Sequence, residues 1–106
     1  MKFLIITRQK DSFVMLPPEM QRQLMEGQAA FIDKYRKAGK IQVIYNMPGL
    51  KGGIAMFEVE SGEEGDRILL EYPMYPFVDV EMYALSDYDA HARALKEAYQ
   101  RWLAKK

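Results

Sequence analysis

Apolar and polar positions along the chain divide it into segments of two periodicities. Residues 2–8 (KFLIITR) form a short run rich in β-formers and predict a first strand. The segment 9–16 carries no clear period and reads as a loop. Pro17-Pro18 then opens a helix, because a first turn does not need the N–H that proline lacks. That helix is expected to run to about Ala38, where Gly39 stops it after the basic residues Lys34, Arg36 and Lys37. Ile41 to Met47 is β-branched and aromatic and predicts a second strand. Pro48-Gly49 and Gly52-Gly53 bracket a turn, and Ile54 to Glu60 alternates as a third strand, so the two form a hairpin.

Ser61 followed by Glu64 has the spacing of a capping box and marks a second helix ending near Tyr72. Pro73 and Pro76 prevent its continuation. Phe77 to Leu85 is the longest alternating pattern in the chain and predicts the fourth strand. Ser86 or Asp87 caps a last helix running to about Ala104. The order is β-α-β-β-α-β plus a C-terminal helix. The fold class is therefore α+β and ferredoxin-like: a four-stranded antiparallel sheet with two helices on one face. One domain is expected over 1–106, with 1–86 as the βαββαβ core and 87–106 as the added helix.

The two faces of the sheet are both apolar. Val78, Val80, Met82 and Ala84 share one face of the fourth strand, as Ala55, Phe57 and Val59 do on the third, and these belong under the helices. The other face carries Phe77, Asp79, Glu81, Tyr83 and Leu85, with Ile54, Met56, and Leu4 or Phe3 beside them. An apolar face of that extent predicts a homodimer or higher homo-oligomer, sheet against sheet.

With 106 residues, 49% hydrophobic and 28% charged, the chain has the composition of a small globular protein. Fifteen basic and fifteen acidic side chains leave no basic excess for gathering phosphates, so no nucleic-acid partner is expected. No run is long enough to span a membrane and no signal peptide is apparent, so a cytoplasmic location without membrane association is expected. Without cysteine there is no disulfide, thiolate site or thiol nucleophile, and one histidine cannot make a multi-histidine site. No metal or cofactor is expected.

Few positions carry candidate chemistry. On the first long helix Met20, Leu24, Phe31, Ile32 and Tyr35 form an apolar stripe, and Gln28 falls within it. A buried amide needs partners, so Gln28 is either bonded to nearby backbone or exposed to a pocket. Tyr45 and Asn46 lie on opposite faces near the end of the second strand. Asn46 suits a turn before Met47-Pro48 better than a binding role. Asp79 and Glu81 project from one strand face; such a pair can share a proton and act as a general base, or form the rim of an interface. The residues alone leave both readings open. His91, one turn into the last helix, titrates in the right range for a proton shuttle, although its place beside an apolar stripe favours packing. That stripe (Tyr88, Ala92, Leu95, Tyr99, Trp102) predicts packing on its own subunit or across a neighbour.

Phe57-Glu-Val-Glu-Ser and the later run Leu69 to Met82 (LLEYPMYPFVDVEM) resemble the muconolactone isomerase family. Its chains close the second crossover with a Leu-Pro-x-x-Pro-aromatic-x-Asp-x-Glu pattern. Here Tyr72 replaces the leucine, while Pro73, Pro76, Phe77, Asp79 and Glu81 fit the rest, and the resemblance covers roughly residues 1–86. It implies a dimeric α+β barrel acting on a small lactone by proton abstraction and redelivery, without metal or cofactor. The family's helix-one pocket carries a glutamate and, four residues earlier, a lysine; this chain has Gln28 and Leu24 there. Glutamine can hold an enolate oxygen but cannot accept the proton. The expected function is thus binding of a small oxygenated molecule, with Gln28, Leu24, Tyr45 and Asn46 as binding candidates. For a cofactor-independent isomerase the base would come from His91, Asp79 or Glu81. The alternative is a non-catalytic dimeric ligand-binding or assembly domain.

Overall fold

A computed structural model describes residues 1–105 and shows the expected element order with three short additions. Strand β1 spans Lys2–Gln9 and is followed by a single-turn helix α1 (Asp11–Val14) and the long helix α2 (Pro18–Lys37). Strands β2 (Ile41–Met47) and β3 (Gly52–Glu58) flank a 3₁₀ turn at Pro48–Leu50. Helix α3 (Gly62–Glu71), a 3₁₀ turn at Tyr75–Phe77, strand β4 (Val78–Leu85) and helix α4 (Tyr88–Ala104) complete the chain. All strand pairs are antiparallel and the sheet order is β2-β3-β1-β4, the order that two crossovers in a split βαβ unit produce.

Register fixes the faces. Phe3 pairs with Phe57 and Ala84, and Ile5 with Ala55 and Met82. These residues point toward α2 and α3, where Phe3, Ile5, Ile41, Phe57, Val59, Ile68 and Leu69 form the main core, with Phe31 and Tyr35 packed against it. Leu4 pairs with Met56 and Tyr83, and Ile6 with Ile54 and Glu81, on the open face. Of the two residues proposed for that position, Leu4 is the one that lies there and Phe3 belongs to the core.

The segment 9–16 is not a plain loop. Phe13 is buried and anchors α1 in a second cluster with Met74 and Val78, to which Leu16, Leu24, Tyr72 and Phe77 also contribute. Phe77 does not start β4; it closes the preceding 3₁₀ turn and meets the Phe13 ring edge-on at 6.2 Å. It is therefore absent from the open face, and Tyr83 and Leu85 remain as that strand's large apolar residues there. Gln42 is an extra residue in β2: Ile41 pairs with Phe57 and Val43 with Met56, so the bulge keeps Ile41 inside and Val43 outside.

Local chemistry sets the ends of the elements. Gly39 has φ +75°, and its N–H bonds to Arg36 while that of Lys40 bonds to Tyr35, the double closure of a Schellman motif. Ser61 Oγ accepts from the Glu64 N–H (3.1 Å) at the start of α3. The Glu64 carboxylate accepts from the Glu60 N–H (3.2 Å) and from Lys40 (3.0 Å), tying α3 to the end of α2. Those bonds, Lys40 first, hold the Glu64 carboxyl below its usual range. Helix α4 is capped by Asp87, which accepts from the Ala90 N–H (2.8 Å). No residue of α4 is buried, and the molecule is 66 Å long and only 29 by 21 Å across. Of the two packing arrangements expected for this helix, the one on its own subunit does not occur.

Candidate ligand cleft between the long helix and the sheet

A cleft of about 660 Å³ lies between α2 and the inner sheet face. Ile5, Ile41, Ile44 and Phe57 line it from the sheet, and Phe31 and Ile32 from α2. Toward the β2–β3 turn its lining takes in Asn46, Lys51, Gly52 and Gly53, with Thr7 and Gln9 of β1. Gly53 N–H donates to Thr7 Oγ1 at 3.3 Å, which fixes the threonine hydroxyl at that end. Mostly apolar walls with a few polar groups are the usual make-up of a small-molecule site.

Gln28 and Tyr72 form the polar centre of the wall. Tyr72, just past the end of α3, donates its hydroxyl to Gln28 Oε1 at 2.9 Å. Its ring tilts against Phe31 with centroids 5.3 Å apart. Burial pushes the Tyr72 phenol up to about 12, so it stays a neutral donor across physiological pH. With Oε1 occupied, the Gln28 Nε2 amide has no partner among the described residues and is the donor the wall can offer a ligand. Arg36 and Lys51 also border the cleft, and its lining contains no Asp, Glu or His. Lys51 sits in the left-handed region (φ 50°) at the end of the 3₁₀ turn.

The other residues singled out from sequence are distributed around this centre. Asn46 pairs with Gly53 on the inner face, whereas Tyr45 pairs with Ile54 on the open face and is two-thirds exposed at the cleft's edge. Leu24 packs into the Phe13–Met74 cluster and does not line the cleft. Asp79 and Glu81 project from the open face, where Glu81 accepts from Arg8 (3.0 Å) and from the Tyr83 hydroxyl (3.1 Å). Lys10 approaches Asp79 at 4.0 Å. His91 is exposed on α4. Within one chain, none of the three candidate bases borders the cleft. Among the described residues, no group of three or more His, Asp or Glu side chains is placed to hold a metal ion. No helix among them is long and apolar enough to cross a membrane.

Sequence reasoning missed Tyr72, Arg36 and Lys51 as cleft residues. The cations fit a helix C-terminus and a turn equally well, and nothing in their spacing pointed inward.

The model of the muconolactone delta-isomerase family matches residues 1–91. The chain belongs to that family. It is similar to the muconolactone delta-isomerase of Acinetobacter baylyi, 30% identical over 80 residues that cover 76% of this chain and 83% of the relative. The Rhodococcus opacus enzyme of the same name is 24% identical over 78 residues, 74% of this chain and 84% of that one. Among solved structures, a muconolactone isomerase superposes with a TM-score of 0.69 at 22% identity, covering 83% of this chain and 91% of that chain. A 5-chloro-2-hydroxyhydroquinone dehydrochlorinase from Burkholderia phenoliruptrix, solved with 2,5-dihydroxybenzoquinone, superposes with a TM-score of 0.64 at 15% identity, over 85% of this chain and 98% of that one. These superpositions support the fold; the family-model match extends only to residue 91, so most of α4 lies beyond it.

Proposed function

We propose that this chain binds a small, flat, oxygenated molecule in the cleft between α2 and the sheet. The Gln28 amide N–H would meet a carbonyl or developing enolate oxygen of that molecule. The observation that carries this reading is the Tyr72–Gln28 bond, which commits the glutamine oxygen and leaves its nitrogen free at the wall of an apolar cleft. Arg36 and Lys51 supply positive charge for an anionic substituent at the border.

Family membership makes a cofactor-independent isomerase the natural catalytic reading. Such a reaction removes a proton beside a carbonyl and returns it one double bond away, so it needs an acceptor within about 3 Å of that proton or one water away. The cleft of one chain supplies donors and no carboxylate or imidazole. Asp79, Glu81 or His91 would serve only from a second copy. A non-catalytic dimeric ligand-binding or assembly role is the alternative, favoured by this missing base. Weak or absent turnover of muconolactone is expected of the cleft as one chain presents it.

Thermal shift with muconolactone and a panel of lactones and aromatic acids, followed by a turnover assay, tests the proposal. A true ligand at a hundredfold over its Kd stabilises the fold by about 2.7 kcal/mol, and Gln28→Ala should reduce that shift sharply. Robust muconolactone turnover, lost in Gln28→Ala but unaffected by changes at Asp79, Glu81 and His91, would show that the cleft holds a base of its own.

A further inference from the structure

The cleft presents donors and positive charge with no carboxylate to balance them. Its titratable lining residues are Arg36 of α2, Tyr45 of β2, Lys51 after the β2–β3 turn and Tyr72 past the end of α3. Neither Arg36 nor Lys51 enters an ion pair among the described residues. Glu71 stands beside Tyr72 in sequence and Asp33 beside Ile32, but neither lines the cleft. Glu71 is committed to Tyr35 and Lys34, and Asp33 to Lys37 at 2.9 Å. Unbalanced cations beside apolar, low-dielectric walls favour an anion over a neutral molecule of the same shape. Gln28 adds to that preference, and Tyr72 fixes which end of its amide does so. An unattached glutamine amide offers oxygen or nitrogen, so it takes a hydroxyl proton as readily as it donates to an oxyanion. The Tyr72 hydroxyl occupies Oε1 at 2.9 Å and leaves Nε2 for the ligand. Helix α2 runs close to the chain there: a Cβ added at Gly27 would stand 3.4 Å from the Pro73 ring, which keeps their neighbours Gln28 and Tyr72 within reach of each other. Because burial pushes the phenol up to about 12, the bond to Oε1 persists wherever a weakly acidic ligand titrates.

We infer that the cleft takes its ligand as an oxyanion, the phenolate or enolate of a small, flat, weakly acidic molecule, and that Tyr72 sets this preference by locking the Gln28 amide. The inference rests on the cleft being the ligand site, as proposed above, and narrows what it holds. The O–H bond of the ligand breaks in solution: the proton passes to water or buffer, and the electron pair left on oxygen accepts from Gln28 Nε2–H. No protein base is needed for that step, since an acid that titrates near neutrality ionises in solvent. The absence of Asp, Glu and His from the lining then suits the ligand, because a carboxylate there would repel the anion.

Two probes test this. p-Nitrophenol reports its own ionisation, because the phenolate absorbs visible light, whereas p-nitroanisole has the same ring and cannot ionise. Titrating p-nitrophenol with the full chain in excess is expected to lower its pKa by about one unit, which corresponds to about tenfold tighter binding of the phenolate than of the phenol. p-Nitroanisole should bind no better than the neutral phenol. Gln28→Glu keeps the side-chain shape but replaces the donor with a carboxylate, so the shift should vanish or change sign. Tyr72→Phe frees the amide to turn and should shrink the shift to about half a unit or less. Equal binding of both probes with an unshifted p-nitrophenol pKa would overturn the oxyanion inference while leaving the cleft as the ligand site. Binding of neither would overturn both. A full shift surviving in Gln28→Glu would place the phenolate elsewhere on the surface and overturn the inference. A full shift surviving in Tyr72→Phe would overturn the role given to Tyr72.

Discussion

At the scale of single residues, the hydroxyl of Tyr72 controls what the cleft presents. Removing it in Tyr72→Phe leaves the ring against Phe31 but frees Gln28 Oε1, so the amide can turn either end toward a ligand. A buried hydrogen bond of this kind contributes about 1 kcal/mol net, and that loss of stability is expected in urea unfolding. The pH dependence is more specific. Tyr72 ionises near 10 in the unfolded chain and at about 12 in the folded one, so the unfolded state loses its proton first. Stability from this group is complete below pH 10 and declines as pH rises through 12, by on the order of 2 kcal/mol. Tyr35 adds to the same decline, since its bond to Glu71 pushes its phenol up to about 12 as well. Unfolding measured from pH 9 to 12 should therefore fall less steeply in Tyr72→Phe; an identical slope would mean the phenol is not held. Gln28 was legible in the sequence because a polar residue interrupts an apolar stripe. Its partner was not, because a contact spanning 44 positions leaves no local periodicity.

At the scale of elements, the order and pairing of the strands were legible because each has a clean period and each helix a chemical start or stop. What escaped was the use of single residues to bend or end an element. The bulge at Gln42 changes which β2 residues face inward, and no alternation rule anticipates an inserted residue. Phe77 reads as a strand residue by propensity, but the turn at Pro76 and the ring of Phe13 claim it. The β2–β3 turn has a comparable hidden constraint. A side chain at Gly52 would place its Cβ 1.8 Å from the Thr7 carbonyl oxygen, a backbone atom that cannot swing away. Gly52→Ala must therefore displace β1 from β3 where both border the cleft. A loss of about 3 kcal/mol or more is expected in chemical denaturation, as for other strained backbone substitutions, together with weakened ligand-induced thermal shift. Gly49→Ala, where nothing lies within 4 Å, is the control and should change little.

At the scale of the whole molecule, the open sheet face is the surface on which self-association can be tested. Leu4, Ile6, Ile54 and Met56 sit side by side in its centre, with Tyr83 and Leu85 exposed next to them. Charge is confined to the border, as the pairs Arg8–Glu81, Lys10–Asp79 and the N-terminus with Glu58. Exposed ion pairs of this kind contribute little to stability, whereas an apolar centre inside a polar rim is the anatomy of an interface. Asp79 and Glu81 thus belong, in the single chain, to the rim of this face, which accounts for carboxylates two apart on a strand without giving them a reaction. Association through the face would make unfolding depend on protein concentration, because the assembled state alone gains from mass action. Over a hundredfold increase in concentration, Tm is expected to rise by about 5 °C for a chain of this size. Leu4→Glu puts a carboxylate at the centre of the face, opposite Met56 on one side and Tyr83 on the other. In the separate chain that carboxylate can remain hydrated, but an interface would desolvate it without a partner. The variant should therefore fold with its sheet intact and show a Tm that no longer responds to concentration. If the unmodified chain already shows that flat response, its open face is solvated as it stands and the sheet-to-sheet dimer does not form.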